Sequence, residues 1–321
     1  MLIRKTVMKA LRFNEYGQPD VLHISEIETP RPHPGEVLVK VMAAAINPSD
    51  VKNVAGLFSA SLPRTPGRDF AGQVVSAGKW QGCEVWGSGA GFGVINDGAQ
   101  SEYICVPVEW LSLKPANLSM AQAATVGVPY ITAWSALVQA GKIQPGETLL
   151  VTGSTGAVGY AAIQIAHWKG ARVIGVGISD RASEADIYVN SRTQDVISAV
   201  ASATDGRGAD MVLDAVGGPT FEIALKCLRQ GGRQIAITSA GNPRVEFDLI
   251  DFYHRQLHLI GVDTMKLTGN EIAATFDELR TGFETGVLQP RGHVVWPVEK
   301  AIDAYAAVST NSTRKQVLLF E

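Results

Sequence analysis

Cysteine is scarce in this chain of 321 residues: there are three, Cys83, Cys105 and Cys227, far apart. That spacing excludes a disulfide framework and a zinc-knuckle pattern, and leaves each thiol as a small buried or half-buried side chain. Net charge is also small, formally −3, so there is no basic footprint for nucleic acid. No apolar run is long enough to cross a bilayer, and no low-complexity tract interrupts the chain. Hydrophobic residues make up 46% and charged residues 18%, a globular balance with a sizeable core, and the length predicts two domains. Met1 to Val7 carries two positive charges but no apolar core, so it reads as an alternative start or a leader foreign to the fold, not a signal peptide. Met8 then opens the first expected strand, and a cytoplasmic location is expected by default.

Glycine is plentiful, and in one place it is ordered. The apolar run Leu149–Thr152 leads into Gly153-Ser154-Thr155-Gly156-Ala157-Val158-Gly159, and Tyr160–Ala166 follows with helical periodicity. Strand, tight turn and helix in that order bring free backbone N–H groups and the positive end of a helix dipole to a phosphate. Gly153 would let the chain turn, Gly156 would let backbone approach a pyrophosphate, and Gly159 would let the helix lie close to the strand. The spacing is GxxGxxG, not GxGxxG, so context has to decide. Strand signals recur at Ala171–Val176, Met211–Asp214, Arg233–Thr238 and Leu257–Val262, alternating with helical stretches at Asp195–Ala203 and Thr220–Arg229. This alternation predicts a doubly wound parallel sheet.

The flanks read differently. Strands at Glu36–Met42, Gly72–Ser76 and Ser101–Val106 are punctuated by Pro and Gly, the texture of an irregular β-rich domain. The tail predicts a helix near Asn270–Gly286, a strand at His293–Pro297, a helix through Val298–Val308 and a last strand at Gln316–Phe320 that pairs back into the first domain. The expected architecture is α/β: a nucleotide domain over residues 119–263, inserted in a discontinuous β-rich domain made of residues 1–118 and 264–321.

Four further stretches carry a family resemblance: Ala45-Ile46-Asn47-Pro48-Ser49-Asp50, Pro66-Gly67-Arg68-Asp69-Phe70-Ala71-Gly72, Val128-Pro129-Tyr130-Ile131-Thr132-Ala133-Trp134 and Asp214-Ala215-Val216-Gly217-Gly218. With the glycine turn they resemble the medium-chain dehydrogenase/reductase superfamily, in its zinc-free quinone oxidoreductase-like branch, from Met8 to the end. The resemblance implies a Rossmann domain within a GroES-like catalytic domain. Zinc alcohol dehydrogenases of the same superfamily hold their metal at positions that here align with Asn47, Arg68 and Val128. A valine cannot ligate and a guanidinium has no lone pair to offer, so no metal is expected. A site without a Lewis acid suits acceptors that delocalise the incoming charge, such as quinones and enones.

Asn47-Pro48-Ser49-Asp50 has two readings: a helix start with Asn47 as cap, or, as the resemblance implies, an amide facing the nicotinamide. Lys52 either hydrogen-bonds a substrate oxygen or is solvated. Phe58 stands about where enoyl-thioester reductases of this branch carry a proton-donating tyrosine, leaving Tyr130 as the hydroxyl donor to substrate. Thr132 matches the threonine that touches nicotinamide in the family. After Arg172–Val176 comes Gly177 in place of an acidic residue, leaving room for a 2′-phosphate with Ser179 and Arg181 nearby; Asp180 is the opposing signal. The segment after Gly177 is too short for the usual helix, so Arg181 or Arg192 would have to meet the phosphate. Ala215, Val216, Gly217, Thr238 and Ser239 would lie along the cofactor. Arg314-Lys315 either closes over the cofactor or is a solvated chain end.

Together these residues imply an NADPH-dependent, zinc-free reductase of a quinone or similar conjugated carbonyl, working as a homodimer without nucleic-acid or membrane partners. An enal or enone double-bond reductase is the alternative within enzymes, and an NADPH-binding sensor or structural protein with little turnover is the alternative outside them.

Overall fold

The computed structural model describes residues 6–181, 183–310 and 314–320, so residues 1–5 of the expected leader lie outside the described residues, while Val7, also expected there, opens the first strand opposite Glu28. The chain divides into two compact units: residues up to Val128 together with those from Met265, and Pro129–Thr264.

The second unit is built on six parallel strands in the order Ile187–Asn190, Arg172–Gly177, Thr148–Thr152, Ala209–Asp214, Leu228–Ala236, His258–Gly261. In chain order that is 3-2-1-4-5-6, the doubly wound arrangement. Thr148–Thr152 and Ala209–Asp214 are buried along their whole length, as parallel strands covered on both faces must be. Leu150, Ile174, Val212, Leu225 and Leu228 form the core here, and removing each such side chain from water stabilises by about 1.5–3 kcal/mol. The helix Ala157–Trp168 follows the first strand. Val196–Ala203 is capped by Asp195, whose carboxylate accepts the Ser198 N–H at 2.8 Å.

Two details differ from expectation or sharpen it. The helix predicted over Thr220–Arg229 runs Phe221–Lys226, because the next strand already starts at Leu228. That strand shifts register between Leu228 and Arg233, where Gly231 and Gly232 interrupt its side-chain pattern. The parallel strands Arg172–Gly177 and Ile187–Asn190 are joined by residues 178–186 with no helix among the described residues. A connection that short cannot house the usual crossover helix.

In the first unit the central strand is Glu36–Ile46. It carries Asp69–Val74 on one side and Lys315–Leu319 on the other, with Tyr103–Pro107 also paired to it. The last strand does return to this sheet, antiparallel, with Val317 opposite Ala45. The short helix Met120–Ala124 is capped reciprocally: Gln122 N–H to Ser119 Oγ at 3.2 Å, and Ser119 N–H to Gln122 Oε1 at 2.9 Å. It packs on Glu36–Ile46 and Asp69–Val74, which carries this unit ten residues past the expected boundary at 118. The core gathers Leu11, Phe13, Val39, Phe70, Tyr305 and Leu318.

Cys83 and Cys105 are half-buried and Cys227 is buried. Burial pushes the Cys105 thiol up to about 11 and that of Cys227 up to about 12. Neither is therefore a thiolate nucleophile at neutral pH.

Candidate functional site

In the nucleotide unit the glycine turn closes on itself, the Gly156 N–H bonding to Gly153 O at 2.8 Å, while Ser154 N–H ties it to Val176 O at 3.0 Å. Gly156 stands at the N-cap of Ala157–Trp168. The first amides of that helix, at Ala157, Val158 and Gly159, have no carbonyl of their own helix to meet. Close approach requires the last glycine: a Cβ at Gly159 would sit 2.4 Å from Gly153 O and 2.7 Å from Ser154 Cα, both backbone. Thr155 is half-buried beside them and Ser154 is buried.

A second loop is shaped by Asp214, which is buried. Its Oδ1 accepts from Thr152 Oγ1 at 2.6 Å, Thr220 Oγ1 at 2.7 Å and the Gly217 N–H at 3.0 Å. This bends Ala215-Val216-Gly217 outward from the strand end. Gly217 has φ +67, and a Cβ there would lie 2.2 Å from Thr238 O and 2.8 Å from Ser239 Cα. Ala215–Gly217 and Thr238–Ser239 are thus neighbours, although the sequence alone named them separately.

Beyond Gly177, the Tyr188 hydroxyl donates to Ser179 O at 2.7 Å, and Ser179 Oγ accepts the Arg181 N–H at 3.1 Å. The Asp180 carboxylate accepts from Asn190 Nδ2 at 3.2 Å. Arg181 and Arg192 are both exposed. Tyr130 is buried with its hydroxyl accepting from Gln164 Nε2 at 3.0 Å, so it packs inside the nucleotide unit. The sequence expectation was a hydroxyl offered to substrate; here the phenol is buried and accepts from Gln164. Thr132 Oγ1 lies 3.4 Å from Thr264 Oγ1.

The first unit contains a different kind of site, a buried cluster centred on Asp69. That carboxylate accepts from Asn47 Nδ2 at 2.9 Å, Ser88 Oγ at 2.5 Å and the Val128 N–H at 3.0 and 3.1 Å, and the Lys315 ammonium stands 3.9 Å away. Lys315 also donates to Asn47 Oδ1. Asn47 does occupy the N-cap position, with Pro48 first in the helix. Its backbone N–H goes to Asp50 Oδ2 at 2.7 Å, while its amide group is engaged by Asp69 and Lys315. Arg68 donates to Ser49 Oγ and lies 3.7 Å from Asp50. Asn47, Asp50, Arg68, Asp69 and Lys315 are all buried.

Two aspartates thus face two cations out of water. Burial pushes the Asp50 carboxyl above its ordinary value, against the pull of Arg68. Burial likewise pushes Lys315 below its ordinary value, opposed by Asp69 and Asp50. Lys52, by contrast, is exposed on the helix Pro48–Val54.

Lys315 is the residue that sequence reasoning missed. It does not float at a solvated chain end; it is buried against Asn47, 268 positions earlier in the chain. Arg314 beside it is exposed. A usable signal was its place at the edge of the apolar run Val317–Phe320, unusual for a free lysine.

Residues 33–116 match the family described as alcohol dehydrogenase GroES-like domain, and residues 157–280 match the one described as zinc-binding dehydrogenase. A zinc-type alcohol dehydrogenase-like protein of Schizosaccharomyces pombe is 35% identical, across 97% of both chains. The chain belongs to the medium-chain dehydrogenase/reductase superfamily. Within that superfamily it falls in the quinone oxidoreductase-like branch: the quinone oxidoreductase of Lama guanicoe is 30% identical over 100% of both chains. The solved structure of CurK enoyl reductase superposes with a TM-score of 0.83 at 26% identity, covering 99% of this chain and 100% of that one. Membership of this superfamily makes the protein an oxidoreductase that works with a pyridine nucleotide.

Proposed function

We propose that the protein is an NADPH-dependent, zinc-independent reductase of a quinone or similar conjugated carbonyl. The observation that carries this is the buried cluster at Asn47, Asp69 and Lys315. A zinc ion does not fit there. The Asn47 amide is already engaged at both ends, Val128 offers only its backbone N–H, and Arg68 and Lys315 bring two positive charges. A third cation would be repelled and would find no thiolate or imidazole. Among the described residues no group of three His, Cys, Asp or Glu side chains is spaced to hold a metal ion.

The nucleotide unit fits a dinucleotide. The amides of Ala157, Val158 and Gly159 would take the pyrophosphate at the helix N-terminus, with Gly153, Ser154, Thr155 and Gly156 forming the turn beneath it. Ala215–Gly217, Thr238 and Ser239 would follow its length. NADPH is favoured over NADH because no carboxylate stands at Gly177, and Asp180 is engaged by Asn190. Exposed Arg181 and Arg192, with Ser179, would meet the 2′-phosphate. When bound, the nicotinamide would supply the hydride equivalent. Thr132 would contact its ring, and the remaining amide hydrogen of Asn47 would donate to the oxygen on which charge develops, the type of contact that is worth about a hundredfold or more in rate. Lys52 remains a candidate hydrogen-bond donor to substrate, though its exposure favours a solvated role.

The strand His258–Gly261 is a sheet edge, and Leu249, Ile250 and Tyr253 beside it in sequence are exposed, which supports a homodimer. No helix among the described residues is long and apolar enough to cross a membrane, and we place the protein in the cytoplasm.

The test is NADPH oxidation with a simple quinone, with and without a chelator, compared with NADH. Chelator-insensitive turnover that prefers NADPH is expected; tighter NADH binding would overturn the cofactor assignment. Product analysis with an enone separates the second reading, which the likeness to an enoyl reductase favours: saturation of the carbon–carbon bond at a higher rate than quinone reduction would move the assignment to a double-bond reductase. No turnover with either acceptor would leave an NADPH-binding sensor or structural protein.

A further inference from the structure

We propose that Lys315 is a positioning residue, whose buried ammonium, anchored beside Asp69, fixes the orientation of the Asn47 amide. The kinetic part of this proposal rests on the reductase function above; the geometric part does not.

An asparagine amide has an acceptor end and a donor end, and its orientation is set by what each end meets. At Asn47 the donor end meets the Asp69 carboxylate at 2.9 Å and the acceptor end meets the Lys315 ammonium. Rotating the amide by half a turn would set its oxygen against a carboxylate and its nitrogen against an ammonium. Both contacts would become repulsive, so only one orientation is compatible with the pair. The pair itself is locked. Asp69 is held by Ser88 Oγ at 2.5 Å and the Val128 N–H, and Lys315 is carried by a strand paired to the one that ends at Ile46, just before Asn47. Gln316 stands opposite Ile46, which sets Lys315 one step further along, beside Asn47. The strand Lys315–Leu319 thus delivers a positive charge into the catalytic unit from the far end of the chain.

The other charged groups that act on Lys315 are Asp50, Arg68 and Arg291, in addition to Asp69. Two carboxylates favour its charged form, while the two arginines and burial oppose it. Loss of the ammonium proton on the alkaline side would weaken its hold on Asn47 Oδ1. An arginine at the same position would stay charged throughout.

The experiment compares wild type, Lys315→Met, Lys315→Arg, Asn47→Ala and the double variant Asn47→Ala/Lys315→Met. In Lys315→Met, kcat should fall about tenfold or more, a loss typical of a misdirected hydrogen-bond donor. The KM for NADPH should stay within about twofold, as expected when an interaction made only in the transition state is removed. The double variant should be no slower than Asn47→Ala alone, because Lys315 acts through that amide. Additive losses would mean a merely structural role and overturn the proposal. In Lys315→Arg the alkaline limb of the kcat profile should move to higher pH; an unmoved limb would also overturn it, and this arm decides if Lys315→Met fails to fold. Crystal structures of wild type and of the Lys315 variants read the geometry without turnover. An Asn47 amide that has rotated or lost its order in Lys315→Met supports the proposal, and one that is unmoved overturns it. If wild type itself reduces neither quinone nor enone, the assigned function fails while these structures still judge the role of Lys315.

Discussion

The glycine turn and the Asp69 cluster solve the same problem, holding polar groups in fixed directions, by opposite means. Seven consecutive residues, Gly153 to Gly159, make the turn, and its donors are backbone amides whose direction follows from local φ and ψ. The cluster is assembled from Asn47, Asp69, Val128 and Lys315, whose side chains and backbone meet only because strands pair across the sheet. A site made of backbone is altered by adding atoms to it. A site made of paired charges is altered by removing one of them.

Four variants probe that contrast. Asp69→Asn should have the largest effect, because it leaves the buried Lys315 ammonium without its nearest carboxylate: a stability loss of about 3–5 kcal/mol in denaturant unfolding. NADPH affinity of the folded fraction should be unchanged. Gly159→Val should do the reverse, since the added atoms meet backbone at Gly153 and Ser154. NADPH binding by calorimetry should weaken by about a hundredfold or more, roughly 2.7 kcal/mol. If this variant binds normally, the turn is not the phosphate site.

Asp210→Asn tests a charge network within the nucleotide unit. Burial pushes the Asp210 carboxyl upward, but the Thr148 N–H at 2.8 Å and the guanidinium groups of Arg229 and Arg207 outweigh it and hold it below the usual range. A depressed carboxyl contributes stability that is present above its unfolded pKa and lost as pH falls through the folded value. The variant should lose about 1–3 kcal/mol at neutral pH, and melting curves should show a flatter acid limb than wild type. The smallest effect is expected from the exposed pair Arg181→Ala/Arg192→Ala: NADPH affinity down about fivefold, on the order of 1 kcal/mol, with NADH affinity unmoved. Equal losses for both nucleotides would remove these arginines from the 2′-phosphate.

How much was legible follows the same division. The parallel strands, the glycine turn and the short connection after Gly177 all announced themselves, since each is a matter of residues close in sequence. Asn47 was legible as a helix N-cap, and the structure keeps that backbone role while turning its amide elsewhere. The surroundings of Tyr130 were not legible, because a hydroxyl in a motif carries no label for its partner; Gln164, 34 residues away, donates to it. Lys315 was read as part of a solvated end or a cofactor cover because nothing within its own strand reveals a partner on a strand that ends at Ile46.

By itself, then, the sequence determined the order of elements, the glycine turn and the kinds of side chain that stand at Asn47, Arg68 and Val128. These depend on backbone geometry and side-chain chemistry that each residue brings with it. Only the tertiary structure decided which charges share the buried interior. Strand register brings Lys315 to Asn47 and Asp69, and an ammonium can remain there because carboxylates and hydrogen bonds replace the water it gave up.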